Sequence, residues 1–157
     1  MTDLAAGQPA PAFDLETPDG RVSSDALRGQ TVVLYFYPRD DTSGCTREAQ
    51  DFTALADRFA AAGAVVVGVS KDSVSSHAKF AGKYGLSVRL ASDPEGEVVE
   101  RYGCWVEKSM YGRKYMGVER STFLIGPDGV LRGVWRKVKV PGHAEAVLAA
   151  AEALRAG

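Results

Sequence analysis

The stretch "TVVLYFYPRDDTSGCTREAQDFTALADRFAAAGAVVVGVS", residues 31 to 70, decides the fold. It opens with a near-continuous apolar run, rich in branched and aromatic side chains, that stops at Pro38. Such a run suits a central strand covered on both faces. From Cys45 the period changes: Cys45, Ala49, Phe52, Ala56 and Phe59 recur at steps of three and four, one face of a helix that ends at Gly63. "AVVVGVS" is a second buried strand. Residues 31–70 therefore form a strand-helix-strand unit, right-handed and parallel.

Working outward, Pro18-Asp19-Gly20 is a turn between two short alternating runs, so the first thirty residues read as a loop and a hairpin. After the central unit comes a helix over 74–84, closed by Gly85, and then a short strand in "VRLASD". Asp93-Pro94 reads as an N-cap with proline at the first helical position, opening a helix that ends near Gly103. Pro127-Asp128-Gly129 centres a second hairpin. The closing helix, "HAEAVLAAAEALRAG", offers Ala146, Leu148 or Ala149, Ala153 and Leu154 for its buried side. The order predicts a single α/β domain over 1–157, a central mixed β-sheet flanked by helices. Residues 105–118, rich in aromatics and methionine, show no clear period and read as a long functional loop.

A chain of 157 residues with 45% apolar content can bury one core of its own. Its 19 basic and 20 acidic residues are intermixed, with a formal charge of −1. No basic stripe calls for nucleic acid, and no apolar run approaches a membrane span. "MTDLAAGQPAPAF" lacks the features of a signal peptide, and a cytoplasmic setting with reduced thiols is expected. The two cysteines and two histidines, Cys45, His77, Cys104 and His143, lack metal-ligand spacing, so neither a metal nor a cofactor is expected.

Cys45 stands where the strand gives way to the helix. Only a thiolate is a strong nucleophile, and an ordinary cysteine, with pKa about 8.5, is ionised to a few per cent at pH 7. The first turn of a helix favours an anion through its unpaired amides and dipole. Thr42 or Ser43 as N-cap places Cys45 in that turn, and Gly44 keeps the approach clear. A small apolar residue could fill the same space. The neighbouring Pro38, Thr42 and Gly44 favour chemistry. A disulfide exchanger is disfavoured, because Thr42 occupies the position three before Cys45 and no C-x-x-C exists. Ser70 in "GVSKD" is no nucleophile elbow, since the second glycine is missing. His77 reads as a helix-surface or boundary histidine and His143 as part of the start of the last helix.

"YPRDDTSGCTREAQDF", residues 37–52, resembles the peroxiredoxin signature P-x-x-x-T/S-x-x-C, with Pro38, Thr42 and Cys45 in register. "GCWVEKSMYGRKYMGVERSTFLI", residues 103–125, resembles the part of the Q-type, or bacterioferritin-comigratory, subfamily that carries an active-site arginine, here Arg120. The resemblance spans essentially the whole chain and implies a thioredoxin-like fold. It implies a thiol peroxidase in which Cys45 attacks hydrogen peroxide or an organic hydroperoxide and becomes a sulfenic acid. Thr42 would hydrogen-bond the peroxide and the sulfur, Pro38 would shield the site, and Arg120 would hold thiolate and peroxide. Glu48 matches a family glutamate that orders the arginines. The implied partners are a hydroperoxide and a reducing thiol, thioredoxin or another, with the chain acting as a monomer.

Two departures stand out. Many Q-type members carry a resolving cysteine five residues after the reactive one, where this chain has Gln50. Others carry it in the next helix, around "VSSHAKFAGKYG", which has none. Reduction then runs through Cys104 or an external thiol, and Cys104 is expected to be a dispensable buried residue beside Trp105. A redox-sensing or holdase module with a reactive Cys45 is the alternative function.

Overall fold

The computed structural model describes residues 4–157. Residues 1–3, where the stretch expected to carry no leader begins, lie outside the described residues. Strand β3 (Thr31–Phe36) is buried at every position. Next come α1 (Ser43–Ala54), a short α2 (Ala56–Ala61) and β4 (Ala64–Ser70), which pairs in parallel with β3 from Thr31↔Ala64 to Phe36↔Val69. Gly63 turns the chain into β4 with φ of +73°, a conformation that costs glycine little.

Before this unit, β1 (Asp14–Thr17) and β2 (Gly20–Ser23) form the expected hairpin. After it, α3 (Val74–Tyr84) begins at Ser73, whose hydroxyl accepts from the Ser76 amide, and ends at left-handed Gly85. Strand β5 (Arg89–Ser92) pairs in parallel with β4. Helix α4 (Glu97–Arg101), the hairpin β6 (Trp105–Met110) and β7 (Arg113–Val118), strands β8 (Ser121–Ile125) and β9 (Leu131–Trp135), and α5 (His143–Ala156) complete the chain. The main sheet runs β2-β1-β5-β4-β3-β8-β9, with β8 antiparallel to β3. It is mixed and flanked by helices, as the element order predicts.

Side chains alternate across β3, so the sheet divides two cores. Val33 and Tyr35 lie with Tyr37, Cys45, Ala49, Phe52 and the apolar side of α5. Val32, Leu34 and Phe36 lie with Val98, Val99, Tyr102 and Cys104. The two cysteines are therefore buried on opposite faces of the sheet.

Four expectations are corrected. The helix from Cys45 breaks at Leu55, whose amide reaches back three residues to Phe52, leaving Ala56 only half-buried. Asp93 is not the N-cap of α4. The cap is Gly96, and Asp93 reaches in from outside the helix to accept from the Val99 amide at 2.8 Å. Helix α5 buries Ala144, Val147, Leu148 and Ala151, while Ala146, Ala149 and Ala153 are exposed. Alanine is tolerated on either side of a helix, so an alanine-rich pattern does not fix the buried face.

Residues 105–118 are not a loop. They form the β6–β7 hairpin, paired from Trp105↔Val118 to Met110↔Arg113. Tyr111 and Gly112 turn it with φ of +53° and +77°, the left-handed pair that a two-residue hairpin turn requires.

Candidate active site

The site is built where β3 ends and α1 begins. Thr42 is the backbone N-cap, extended at φ −98° and ψ 156°, and its carbonyl accepts from the Thr46 amide. Its hydroxyl makes no cap bond and donates instead to the Arg39 carbonyl at 2.9 Å. Cys45 lies in the first turn, where amides without intrahelical partners favour an anion. The residue is only 2% exposed.

Arg120 enters from the segment between β7 and β8. Its Nη2 donates to Cys45 Sγ at 3.3 Å, and its Nη1 donates to Glu48 Oε1 at 2.6 Å. Gly44 permits this approach, since a Cβ there would meet Arg120 Nη2 at 3.2 Å. The glycine thus makes room for the guanidinium. Cys45, one turn of α1 and the strand entrance meet at a single cation.

Glu48 is buried at 1% exposure, and its Oε2 has no hydrogen-bond partner. Burial pushes its carboxyl up, Arg120 pulls it back, and the balance leaves it at about 7. Burial works against the Arg120 charge too, but Glu48 and Cys45 outweigh it and hold that pKa above its ordinary value. Tyr35, on the same face of the sheet, has a buried hydroxyl without a partner, and burial raises its pKa far above the ordinary value. Lys108 of β6 is half-buried, and desolvation, followed by the charge of Arg120, lowers its pKa.

Of the residues singled out in the sequence, the structure brings together Cys45, Arg120 and Glu48. Pro38 lies exposed in the bend after β3, and Thr42 is exposed with its hydroxyl turned to Arg39. His143 does begin α5, where it is buried and its Nε2 lies 2.8 Å from the Thr122 hydroxyl. Burial and then the Arg120 charge push its pKa down to about 4. Cys104 is fully buried beside Tyr102, with its thiol 3.6 Å from the Tyr102 carbonyl, and burial pushes that thiol up to about 11.

His77 corrects its expectation: it is fully buried, not at the surface. Its Nδ1 lies 2.8 Å from Asp40 Oδ2 and its Nε2 3.0 Å from the Ala91 carbonyl. The sequence reading missed Asp40 altogether. Its partner is 37 residues away, so no local spacing joins them. Among the described residues no helix is long and apolar enough to cross a membrane, and no three His, Cys, Asp or Glu gather as metal ligands would.

Comparison with known proteins bears on this geometry. The AhpC/TSA family matches residues 6–134. Peroxiredoxin Bcp of Xanthomonas campestris is 47% identical over 156 residues, covering 98% of both chains. A solved structure of the X. campestris bacterioferritin comigratory protein, from work on its alkyl peroxide reduction, superposes with a TM-score of 0.89 at 44% identity, covering 96% of this chain and 99% of that one. A cysteine-to-serine variant of Xylella fastidiosa PrxQ gives 0.91 at 37% identity, covering 98% of each. The fold is the thioredoxin-like fold of these proteins.

Proposed function

We propose, since the chain belongs to the AhpC/TSA family and is a thiol-dependent peroxidase of the peroxiredoxin type, that Cys45 is its peroxide-reactive thiol. The observation that carries this reading is the 3.3 Å contact from Arg120 Nη2 to Cys45 Sγ at the start of α1. A guanidinium and the first turn of a helix both favour sulfur as the thiolate.

The thiolate attacks the terminal oxygen of a hydroperoxide. An S–O bond forms as the O–O bond breaks, and the electron pair leaves on the distal oxygen, which takes up a proton as water or alcohol. Negative charge moves from sulfur toward the leaving oxygen. Donors already fixed at the site stabilise that shift without reorganising. Arg120 serves the sulfur, and its planar fork can serve the peroxide as well. Thr42, at the mouth of the helix, serves the peroxide once its hydroxyl turns from the Arg39 carbonyl. Pro38 holds the bend without offering an amide.

The substrates are hydrogen peroxide and organic hydroperoxides, in keeping with the alkyl peroxide reduction studied in the Xanthomonas protein. The sulfenic acid returns to thiol at the expense of thioredoxin or another thiol. The chain works as a cytoplasmic monomer in peroxide defence. Peroxide consumption with excess dithiothreitol tests the activity: an enzyme continues through many equivalents, whereas a sensor stops after about one, the limit of a single sulfenic acid.

A further inference from the structure

Glu119 and Arg120 join β7 to β8 and belong to neither strand. The Glu119 amide donates to the Cys104 carbonyl at 2.7 Å, and the Arg120 carbonyl accepts from the Val138 amide at 2.9 Å. The two side chains part to opposite faces of the sheet. Arg120 reaches Cys45, while Glu119 turns to the core that holds Cys104 and meets Arg136, which follows β9 and lies over the Phe123 ring. Three donors converge on Glu119 Oε1: Arg136 Nε at 2.8 Å, the Ser121 hydroxyl at 3.1 Å and the Lys137 amide at 3.3 Å. Arg136 commits the rest of its fork to α4, with Nη1 donating to the Tyr102 carbonyl at 3.3 Å and Nη2 to the Gly103 carbonyl. Carbonyls at the end of a helix lack intrahelical partners and favour a cation. All three nitrogens of the Arg136 guanidinium are thus engaged, and they tie the end of α4 and the end of β9 to the residue beside Arg120.

We infer that Arg136 and Glu119 are positioning residues for the peroxidase reaction: from the far face of the sheet they clamp the backbone at Arg120, so that its guanidinium meets Cys45 in the productive geometry. The inference rests on Cys45 being the reactive thiol and on Arg120 serving it. A long side chain delivers its donors to a fixed point only if both its ends are held. Cys45 and Glu48 hold the head of Arg120. Its root lies in a connection of two residues outside the strands, and the bonds that fix this root gather on Glu119 and Arg136. Burial works against the Glu119 charge, but Arg136, Ser121 and Lys137 outweigh it and hold the carboxyl below the ordinary range. The pair therefore stays ionised at neutral pH. A partly exposed ion pair adds little to stability by itself, so its worth here lies in what it places. Among the described residues neither side chain bonds Cys45, Glu48 or the Arg120 guanidinium, and the effect passes through the position of Arg120.

The experiment uses the full chain. Stopped-flow tryptophan fluorescence reads oxidation of Cys45 by hydrogen peroxide, and the pH dependence of iodoacetamide labelling at the Cys45 peptide reads its thiolate. Arg136→Met and Glu119→Ala should each slow oxidation by about tenfold or more, as small misplacements of reacting groups do. Both should also move the labelling profile to higher pH, because the thiolate loses a fixed cation. Arg136→Lys and Glu119→Gln keep part of the bonding and should fall between these variants and the parent. In a chain that already carries Arg120→Met, adding Arg136→Met should cost less than about twofold, because the group it places is gone. If the larger changes fail to fold, Arg136→Lys and Glu119→Gln carry the same comparison with and without Arg120. Folded variants with the parental rate and labelling profile would overturn the clamp. Equal losses with and without Arg120 would overturn it too, since they mark a general loosening of the fold. An Arg120→Met protein that oxidises as fast as the parent would instead remove the reading on which the clamp rests.

Discussion

Arg120 places Nη2 3.3 Å from Cys45 Sγ while its Nη1 donates to Glu48 Oε1 at 2.6 Å. Arg120→Lys keeps the charge and loses the fork. A lysine ammonium cannot bond Glu48 and the sulfur in the same planar geometry. The second-order rate of Cys45 oxidation should fall by about tenfold or more, roughly the 1.4 kcal/mol of one well-placed charged hydrogen bond. Stopped-flow tryptophan fluorescence reads this rate, and an unchanged value would remove Arg120 from the chemistry.

Glu48 predicts a pH dependence of stability. Its folded value of about 7 lies above the ordinary 4.5, so the native state binds the proton more tightly than the unfolded chain does. Its contribution is therefore complete below about pH 4.5, weakens as pH rises, and is lost above about pH 7. Glu48→Gln removes this dependence. Urea melts should show the variant gaining on the parent by about 3 kcal/mol between pH 4.5 and 8. A constant difference across that range would show that burial of Glu48 does not control its proton.

Thr42 tests the hydroxyl that now donates to Arg39. Thr42→Ser should retain most of the oxidation rate. Thr42→Val should lose about fivefold or more, the worth of roughly one ordinary hydrogen bond. Equal rates in the two variants would mean that the hydroxyl only shapes the loop.

Much of this site was legible in the chain. The strand-helix-strand unit reads clearly because β3 and β4 are buried on both faces and α1 keeps an apolar face around Cys45. Pro38, Thr42 and Cys45 fall within eight residues, so their spacing carries information. Arg120 became visible only through the family resemblance, since it meets Cys45 across 75 residues. The β6–β7 hairpin escaped for a physical reason. Both its faces are largely exposed, so burial imposes no alternation, and its turn is Tyr111-Gly112 rather than the commoner Asn-Gly. His77 escaped because a polar residue on an apolar helix face looks like a boundary position. Its buried partner Asp40 lies on another element.

Cys104 should be dispensable. Its thiol is fully buried and raised to about 11, a poor nucleophile at neutral pH. Cys104→Ser should keep most turnover when a small thiol or thioredoxin is the reductant. A disulfide between Cys45 and Cys104 after one equivalent of peroxide, with turnover lost in Cys104→Ser, would make Cys104 the resolver and require a large rearrangement, since the two are buried on opposite faces of the sheet.

The most direct measurement of the central claim is intact-protein and peptide mass spectrometry after one equivalent of hydrogen peroxide, with dimedone present and no added thiol. The account predicts a single dimedone adduct on Cys45, absent from Cys45→Ser, which should remain folded and lose turnover. An adduct at Cys104, or sustained peroxide turnover in Cys45→Ser, would contradict it.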